Sequence, residues 1–272
     1  MSYRDISGDV ASRWRRDLES WAIPEEILRA APESPWGFPT ALFARAAAVA
    51  QASPEPSPSR ARALEALPPG GSVLDIGAGG GAASIPLAPR AGQIVAVDES
   101  DAMLDTFSRA ASDRGARHQE IAGRWPDVAP LAPLVDVVVC HHVLYNVADL
   151  VPFVAALDAH ARRRVVVELT ASHPLHGLNP LWAIIHGVDR PDVPTASDAA
   201  RVVAGLGFEV HEERFEQPSL REGAGLAERV ALARRRLCVG PERDEEIAAF
   251  FEGRSPDEQR RSVVTLWWDT RH

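Results

Sequence analysis

From Pro68 onward, short β-branched and apolar runs alternate with stretches whose apolar positions recur every three to four residues. A strand buried on both faces reads as a continuous apolar run, so this rhythm predicts a parallel sheet covered by helices. Strands are expected over residues 72–76, 93–97, 117–121, 135–140 and 164–169, with helices over 82–87, 101–112 and 149–160 between them. Pro86 is awkward in the first of these helices, just past the turn that tolerates a missing amide. After Thr170 the pattern gives a loop rich in Pro and His, helices over 180–186 and 197–206, and a strand over 208–215. Helices over 224–237 and 244–251 and a final strand over 261–268 follow. The short return into that last strand favours an antiparallel strand at the sheet edge.

The N-terminal residues are patterned differently. Val10, Trp14, Leu18 and Trp21 recur at helical spacing behind the capping candidates Ser7 and Asp9, and Pro24 and Pro39 suit first-turn positions. The expected organisation is a helical cap over residues 1–52 and a Pro/Ser linker with an entry helix, opened by Ser57 and Pro58, over 53–67. A domain over 68–272 follows, with a helical insertion at about 216–258.

Composition narrows the chemistry. With 46% hydrophobic and 25% charged residues in 272, the chain is globular rather than disordered or fibrous. Its 29 basic against 38 acidic residues give a net charge of -9, which opposes attachment to phosphate backbones or anionic lipid. A small-molecule partner is expected, and nucleic acid is not. All 29 basic residues are Arg, which removes the lysine chemistry of P-loop NTPases, kinases and Schiff-base enzymes. Two cysteines, Cys140 and Cys238, make no disulfide framework, and no apolar run approaches membrane-spanning length, so a cytoplasmic setting is expected.

The informative stretch is VLDIGAGGGAASIPLA, residues 73–88. Glycines 77, 79, 80 and 81 at a strand-to-helix turn let a ligand approach the backbone at a positive helix N-terminus. Gly77, Gly79 and Ala82 also satisfy the dinucleotide pattern, which keeps an NAD(P)-dependent oxidoreductase open. Asp75 argues the other way: a carboxylate there repels a pyrophosphate but receives the ammonium of an amino-acid moiety. Asp98 stands twenty-one residues beyond Gly77 at the end of the next strand, where a carboxylate accepts ribose hydroxyls.

The D-x-G-x-G-x-G run after an apolar strand resembles the first motif of class I S-adenosylmethionine-dependent methyltransferases. The resemblance covers about residues 70–170 and, more loosely, 195–215. It implies a doubly wound, seven-stranded, mostly parallel Rossmann-like sheet with an antiparallel C-terminal strand, here behind an N-terminal helical cap. It also implies S-adenosylmethionine as cofactor and a small methyl acceptor. Asp75, Gly77, Ala78 and Gly79 would form the cofactor turn, and Asp98, Glu99 and Met103 would meet ribose and adenine. Cys140 would end the strand facing the methionine moiety. Where many members carry Gly-Asp after the third strand, this chain has Gly123-Arg124-Trp125, leaving Asp127 as a substitute acid and Trp125 as a ring to pack on adenine. A non-catalytic S-adenosylmethionine-binding protein stays open, since methyl transfer needs no obligatory side chain.

His141 and His142 follow a buried strand at the ligand-binding end of the sheet, with Tyr145 just beyond. Either histidine suits a general base, although alternation sends one into packing. Trp36 and Phe38, in the turn-like SPWGFP, and Trp182 with His186 are candidates for the acceptor pocket. His173-x-x-His176 lacks a nearby carboxylate or third histidine, so no metal is expected. Arg234, Arg235 and Arg236 read as a solvated helix end complementing the dipole. The acceptor, its attacking atom and the oligomeric state stay open.

Overall fold

A computed structural model of the protein describes residues 3–36, 55–217, 225–254 and 260–270. In chain order the elements are α1 (Tyr3–Glu19), α2 (Glu25–Ala30), α3 (Pro58–Ala66), β1 (Gly71–Ile76), β2 (Ala91–Asp98), α4 (Asp101–Asp113), β3 (His118–Ala122) and β4 (Val135–His141). There follow α5 (Leu150–Ala159), β5 (Ala161–Thr170), α6 (Asn179–His186), α7 (Ala196–Gly205), β6 (His211–Gln217), α8 (Leu226–Arg236), α9 (Asp244–Glu252) and β7 (Arg261–Asp269).

The seven strands form one sheet in the order β3-β2-β1-β4-β5-β7-β6, doubly wound as expected. Strands β1 to β5 pair in parallel, and β7 runs antiparallel to both of its neighbours, β5 and β6. The antiparallel strand is therefore interior: β6, not β7, takes the edge. The strand order reverses between β1 and β4, and the crevice at their carboxyl ends is where such sheets bind ligands.

Side-chain alternation splits the apolar strands between two layers. Leu74, Ile76, Val138, Cys140, Val165 and Val167 face α5, α7 and Trp14 on one side of the sheet. Val73, Ile94, Ala96, Val137, Val139 and Val166 face α3 and α4 on the other.

Local chemistry explains where the elements differ from expectation. The helix expected over 82–87 is reduced to a 3-10 turn, Ile85–Leu87, because Pro86 withholds an amide and Gly81 sits at φ +80. The glycine turn thus lacks an α-helix N-terminus behind it. Helix α1 begins at Tyr3, so Ser7 and Asp9 lie inside it rather than capping it, and Pro24 is the N-cap of α2. Pro39 lies outside the described residues. Ser57 does cap α3, accepting from the Arg60 amide, with Pro58 in the first turn.

A second, smaller core gathers Leu178, Trp182, Val230, Leu237, Ile247 and Phe251 from α6, α8, α9 and the residues capping them, with Ile23 and Ile27 packed against it. Arg190 clips the N-terminal segment here, donating to the Ala22 carbonyl at 2.9 Å with its guanidinium 4.8 Å from the Trp182 ring centroid. The three arginines expected to be solvated are instead partnered: Arg234 bonds Asp244, Arg235 bonds the Ser34 and Trp36 carbonyls, and Arg236 bonds the Pro35 carbonyl.

Candidate functional site

At the carboxyl end of β1 the chain turns sharply through three glycines of positive φ, Gly77 (+69), Gly79 (+52) and Gly81 (+80). A Cβ on Gly77 would fall 2.4 Å from Val143 Cγ2, so only glycine lets the loop after β4 lie against the turn. Around Gly79 the space is open. The amides of Gly77 and Ala78 both donate to the Val97 carbonyl, at 2.8 and 3.1 Å, which fastens the turn to β2.

Asp98, half-exposed at the end of β2, accepts from the Gly79 amide and from the Ser100 amide, each at 2.9 Å and each on a different carboxylate oxygen. Each oxygen keeps a second lone pair for a ligand hydroxyl. Asp75 is only 1% exposed. Its Oδ2 accepts from the Ser84 hydroxyl at 2.5 Å, and its Oδ1 has no partner. Burial, outweighing the Ser84 hydrogen bond and assisted by the nearby Asp98 charge, raises its carboxyl to about 7. A buried carboxylate oxygen without a donor is a feature that a ligand ammonium would satisfy, so these residues fit the cofactor's amino-acid end.

The remaining residues expected at the cofactor are placed unevenly. Met103 is half-buried in the first turn of α4, and Glu99 and Arg124 are exposed beside each other at 3.7 Å. Gly123, at φ +142, donates its amide to the Asp98 carbonyl at 2.9 Å. Trp125 turns inward, buried in the core layer, with Nε1 donating to the Phe153 carbonyl at 3.4 Å and its ring edge-on to His160. Asp127 is exposed. Cys140 is fully buried on the α5 side of β4, where desolvation raises its thiol well above its ordinary value.

The end of β4 carries a charged cluster. His141 closes the strand with Nδ1 3.9 Å from Glu168, and its Nε2 is buried without a partner. Desolvation lowers the His141 pKa, with Glu168 opposing it. His142 follows at φ +60; its amide donates to the Glu168 carbonyl at 2.6 Å, and its Nε2 lies 3.1 Å from Glu168 Oε1. Burial alone would raise the Glu168 carboxyl, but His141, His142 and the Ser59 hydroxyl pull it well below the usual carboxylate range. Arg261, at the start of β7, brings Nη2 to 3.5 Å from His142 Nε2.

Glu168 and Arg261, which pattern reading passed over, belong to this cluster, although an acid within the apolar run VVVELT is a visible signal. Tyr145 is less available. Its hydroxyl donates to the Thr170 carbonyl at 2.9 Å, its ring stacks on Trp14 at 5.7 Å, and burial pushes its phenol up.

Of the residues expected at an acceptor pocket, Trp36 is 52% exposed and tied through its carbonyl to Arg235, and Phe38 lies outside the described residues. Trp182 is buried in the second core, and His186 Nε2 lies 2.7 Å from the Leu237 carbonyl, so both are engaged in packing away from the His142 cluster. His173 stacks on Trp21 at 3.8 Å, and burial, with Arg190 and His176 nearby, pushes its pKa down to about 3. Among the described residues no group of three or more His, Cys, Asp or Glu side chains could hold a metal ion, and no helix is long and apolar enough to cross a membrane.

Comparison with known proteins places this chain in a family. Residues 49–213 match the methyltransferase-domain family, which is more than half of the chain. An uncharacterized protein of Haemophilus influenzae is 30% identical over 212 residues, covering 73% of this chain and 76% of that protein. Among solved structures, an S-adenosylmethionine-dependent methyltransferase from Thiobacillus denitrificans in complex with S-adenosyl-L-homocysteine is similar, with a TM-score of 0.53 at 19% identity over 87% of this chain and 100% of that one. Magnesium protoporphyrin IX methyltransferase from Synechocystis, with the same ligand bound, gives a TM-score of 0.50 at 17% identity, covering 94% of this chain and 92% of that one. With the Asp75 to Gly81 turn, Asp98 and the reversal of strand order at one crevice, the chain belongs to the methyltransferase-domain family and is a class I S-adenosylmethionine-dependent methyltransferase.

Proposed function

We propose that the enzyme methylates a small, partly apolar metabolite, with the glycine turn, Asp75 and Asp98 holding the cofactor and the crevice beyond β4 holding the acceptor. The observation that carries the cofactor assignment is the pairing of Asp98, latched to the Gly79 and Ser100 amides, with the orphaned Oδ1 of Asp75 on the adjoining strand. Asp98 would accept ribose hydroxyls and Asp75 the ammonium. Gly77 and Gly79 would let the ligand lie on the backbone, and Met103 would meet the adenine.

S-Adenosylmethionine supplies an electrophilic methyl group on a sulfonium. The work of the chain is then alignment of acceptor and cofactor and exclusion of water. Acidic net charge disfavours an anionic acceptor, and Trp14 of α1, stacked on Tyr145 in the loop after β4, supports a partly apolar one. A cytoplasmic setting belongs to the same reading, in keeping with Cys140 and Cys238 as buried free thiols.

Asp98→Ala is expected to weaken S-adenosylhomocysteine binding by about 10- to 150-fold, since charge-assisted hydrogen bonds are worth about 1.5–3 kcal/mol. Isothermal titration calorimetry checks it. Unchanged affinity with a lowered melting temperature would make Asp98 a purely structural latch, and saturable NAD(P) binding in place of S-adenosylhomocysteine would overturn the cofactor assignment.

A further inference from the structure

We propose that His173 selects the methyl acceptor, donating from Nε2 to a carbonyl or hydroxyl oxygen of an uncharged molecule and turning away amines that are protonated at neutral pH. The inference rests on the methyltransferase reading and adds the acceptor's hydrogen-bonding chemistry to it. The Leu175 amide donates to His173 Nδ1 at 3.3 Å. An amide can only donate, so that nitrogen carries the lone pair and the neutral ring holds its proton on Nε2. The two nitrogens stand on nearly opposite edges of an imidazole, so the Nε2 proton points away from the loop that fixes Nδ1. The ring is half-buried, and no described residue accepts from Nε2.

The donor stands at the ligand-binding end of the sheet. His173 lies three residues beyond Thr170, the last residue of β5, and the Tyr145 ring of the loop after β4 meets it edge-on at 5.3 Å. Its position is fixed from several sides. The Ala171 amide donates to the Ser262 carbonyl at 2.9 Å, the Ala171 carbonyl accepts from Ala196 at 3.0 Å, and the Thr170 hydroxyl donates to the Ser172 carbonyl at 2.6 Å. Trp21, stacked on the imidazole at 3.8 Å, is held in turn by its Nε1 bond to the Val193 carbonyl at 2.6 Å and by Arg190 on its own carbonyl. A donor set in place before the ligand arrives reads it without a further ordering cost.

The surrounding charge gives the donor its selectivity. Arg190 and His176, together with burial, oppose a second proton on the ring, so His173 stays a neutral donor through the physiological range. Asp192 lies 3.1 Å from His176, and the Arg190 guanidinium is engaged by the Trp21 and Ala22 carbonyls and by the faces of Trp21 and Trp182. An ammonium brought here meets a hydrogen-bond donor and a cation, whereas an oxygen lone pair meets a partner.

Three probes that share one phenyl–carbon–methyl skeleton test this: acetophenone, ethylbenzene and 1-phenylethylamine, each titrated into 15N-histidine-labelled protein saturated with S-adenosylhomocysteine. The His173 signals, identified by their loss in His173→Phe, should show the proton on Nε2 and no titration between pH 5 and 8. Acetophenone should shift the Nε2 resonance and bind about 3- to 12-fold more tightly than ethylbenzene, with 1-phenylethylamine weakest. His173→Phe keeps a ring against Trp21 and lacks the donor, so the preference for acetophenone should vanish while S-adenosylhomocysteine affinity stays within about threefold. His173→Gln, whose amide can reach the Nε2 position, should keep part of the preference. A proton on Nδ1, an ordinary titration, no preference for acetophenone, a preference that survives in His173→Phe, or no binding of any probe overturns the inference and leaves the methyltransferase reading intact. Failure to bind S-adenosylhomocysteine overturns that reading instead.

Discussion

Asp75→Asn is expected to remove a steep fall in the stability of the ligand-free protein between pH 4 and 7, and to cost most of its affinity for S-adenosylhomocysteine. The Asp75 carboxyl is raised from 3.8 to about 7, so across that interval the folded chain holds a proton that the unfolded chain has released. Stability then falls as pH rises, by about 1.4 kcal/mol per pH unit and on the order of 4 kcal/mol in all. Asn can keep the Ser84 contact without a charge to desolvate, so the variant should gain on the wild type most at pH 7 and above. A ligand ammonium acts in the opposite sense by favouring the ionised form, so wild-type affinity should climb toward pH 7 and level off beyond it. The Asn variant should bind about 10- to 150-fold more weakly at pH 8 and lose the climb. Urea unfolding and calorimetry from pH 4 to 8 measure both; identical stability slopes in the two proteins would show that folding does not raise the Asp75 pKa.

Trp14→Ala should destabilise the protein by about 3–5 kcal/mol, the range for deleting a large aromatic from a packed core. Trp14 is 1% exposed, donates from Nε1 to the Val147 carbonyl at 2.8 Å and stacks on Tyr145. Its loss leaves a cavity and an unpaired carbonyl in the loop that begins at Val143 against the glycine turn, so cofactor affinity should fall with stability. Trp36→Ala, at a position 52% exposed, should change stability by only about 0.5 kcal/mol. Denaturant midpoints distinguish the two, and equal midpoints would mean that α1 is not fastened to the sheet.

The interior strands β1, β2 and β4 were legible because burial on two faces leaves an apolar run, whereas the polar edge strand β6 begins three residues later than expected. Spatial order is not encoded in such runs, so the placement of β7 between β5 and β6 is visible only in the structure. The helix after the glycines misled because the apolar residues of 82–87 keep helical spacing while Pro86 forbids the hydrogen bonds. At the site, Asp75, Gly77 and Asp98 stood out through spacing along one strand–turn–strand unit. The Glu168 contacts join β4, β5 and α3, partners far apart in the chain that no local pattern brings together. Aromatic loops also drew attention to Trp36, whereas the tryptophans that fasten the N-terminal segment are Trp14 and Trp21, set in or beside a helix and read as ordinary core.

The interior position of β7 also orders events during synthesis. While β5 and β6 have been made and β7 has not, β5 has an open edge and β6 has nothing to pair with, since each bonds β7 along its length. The nascent chain can build the five parallel strands and then must wait, with an exposed edge on which other chains can nucleate. Arg261 and Thr265 arrive on the strand that closes this gap, so the sheet and the Glu168 anchorage are completed together.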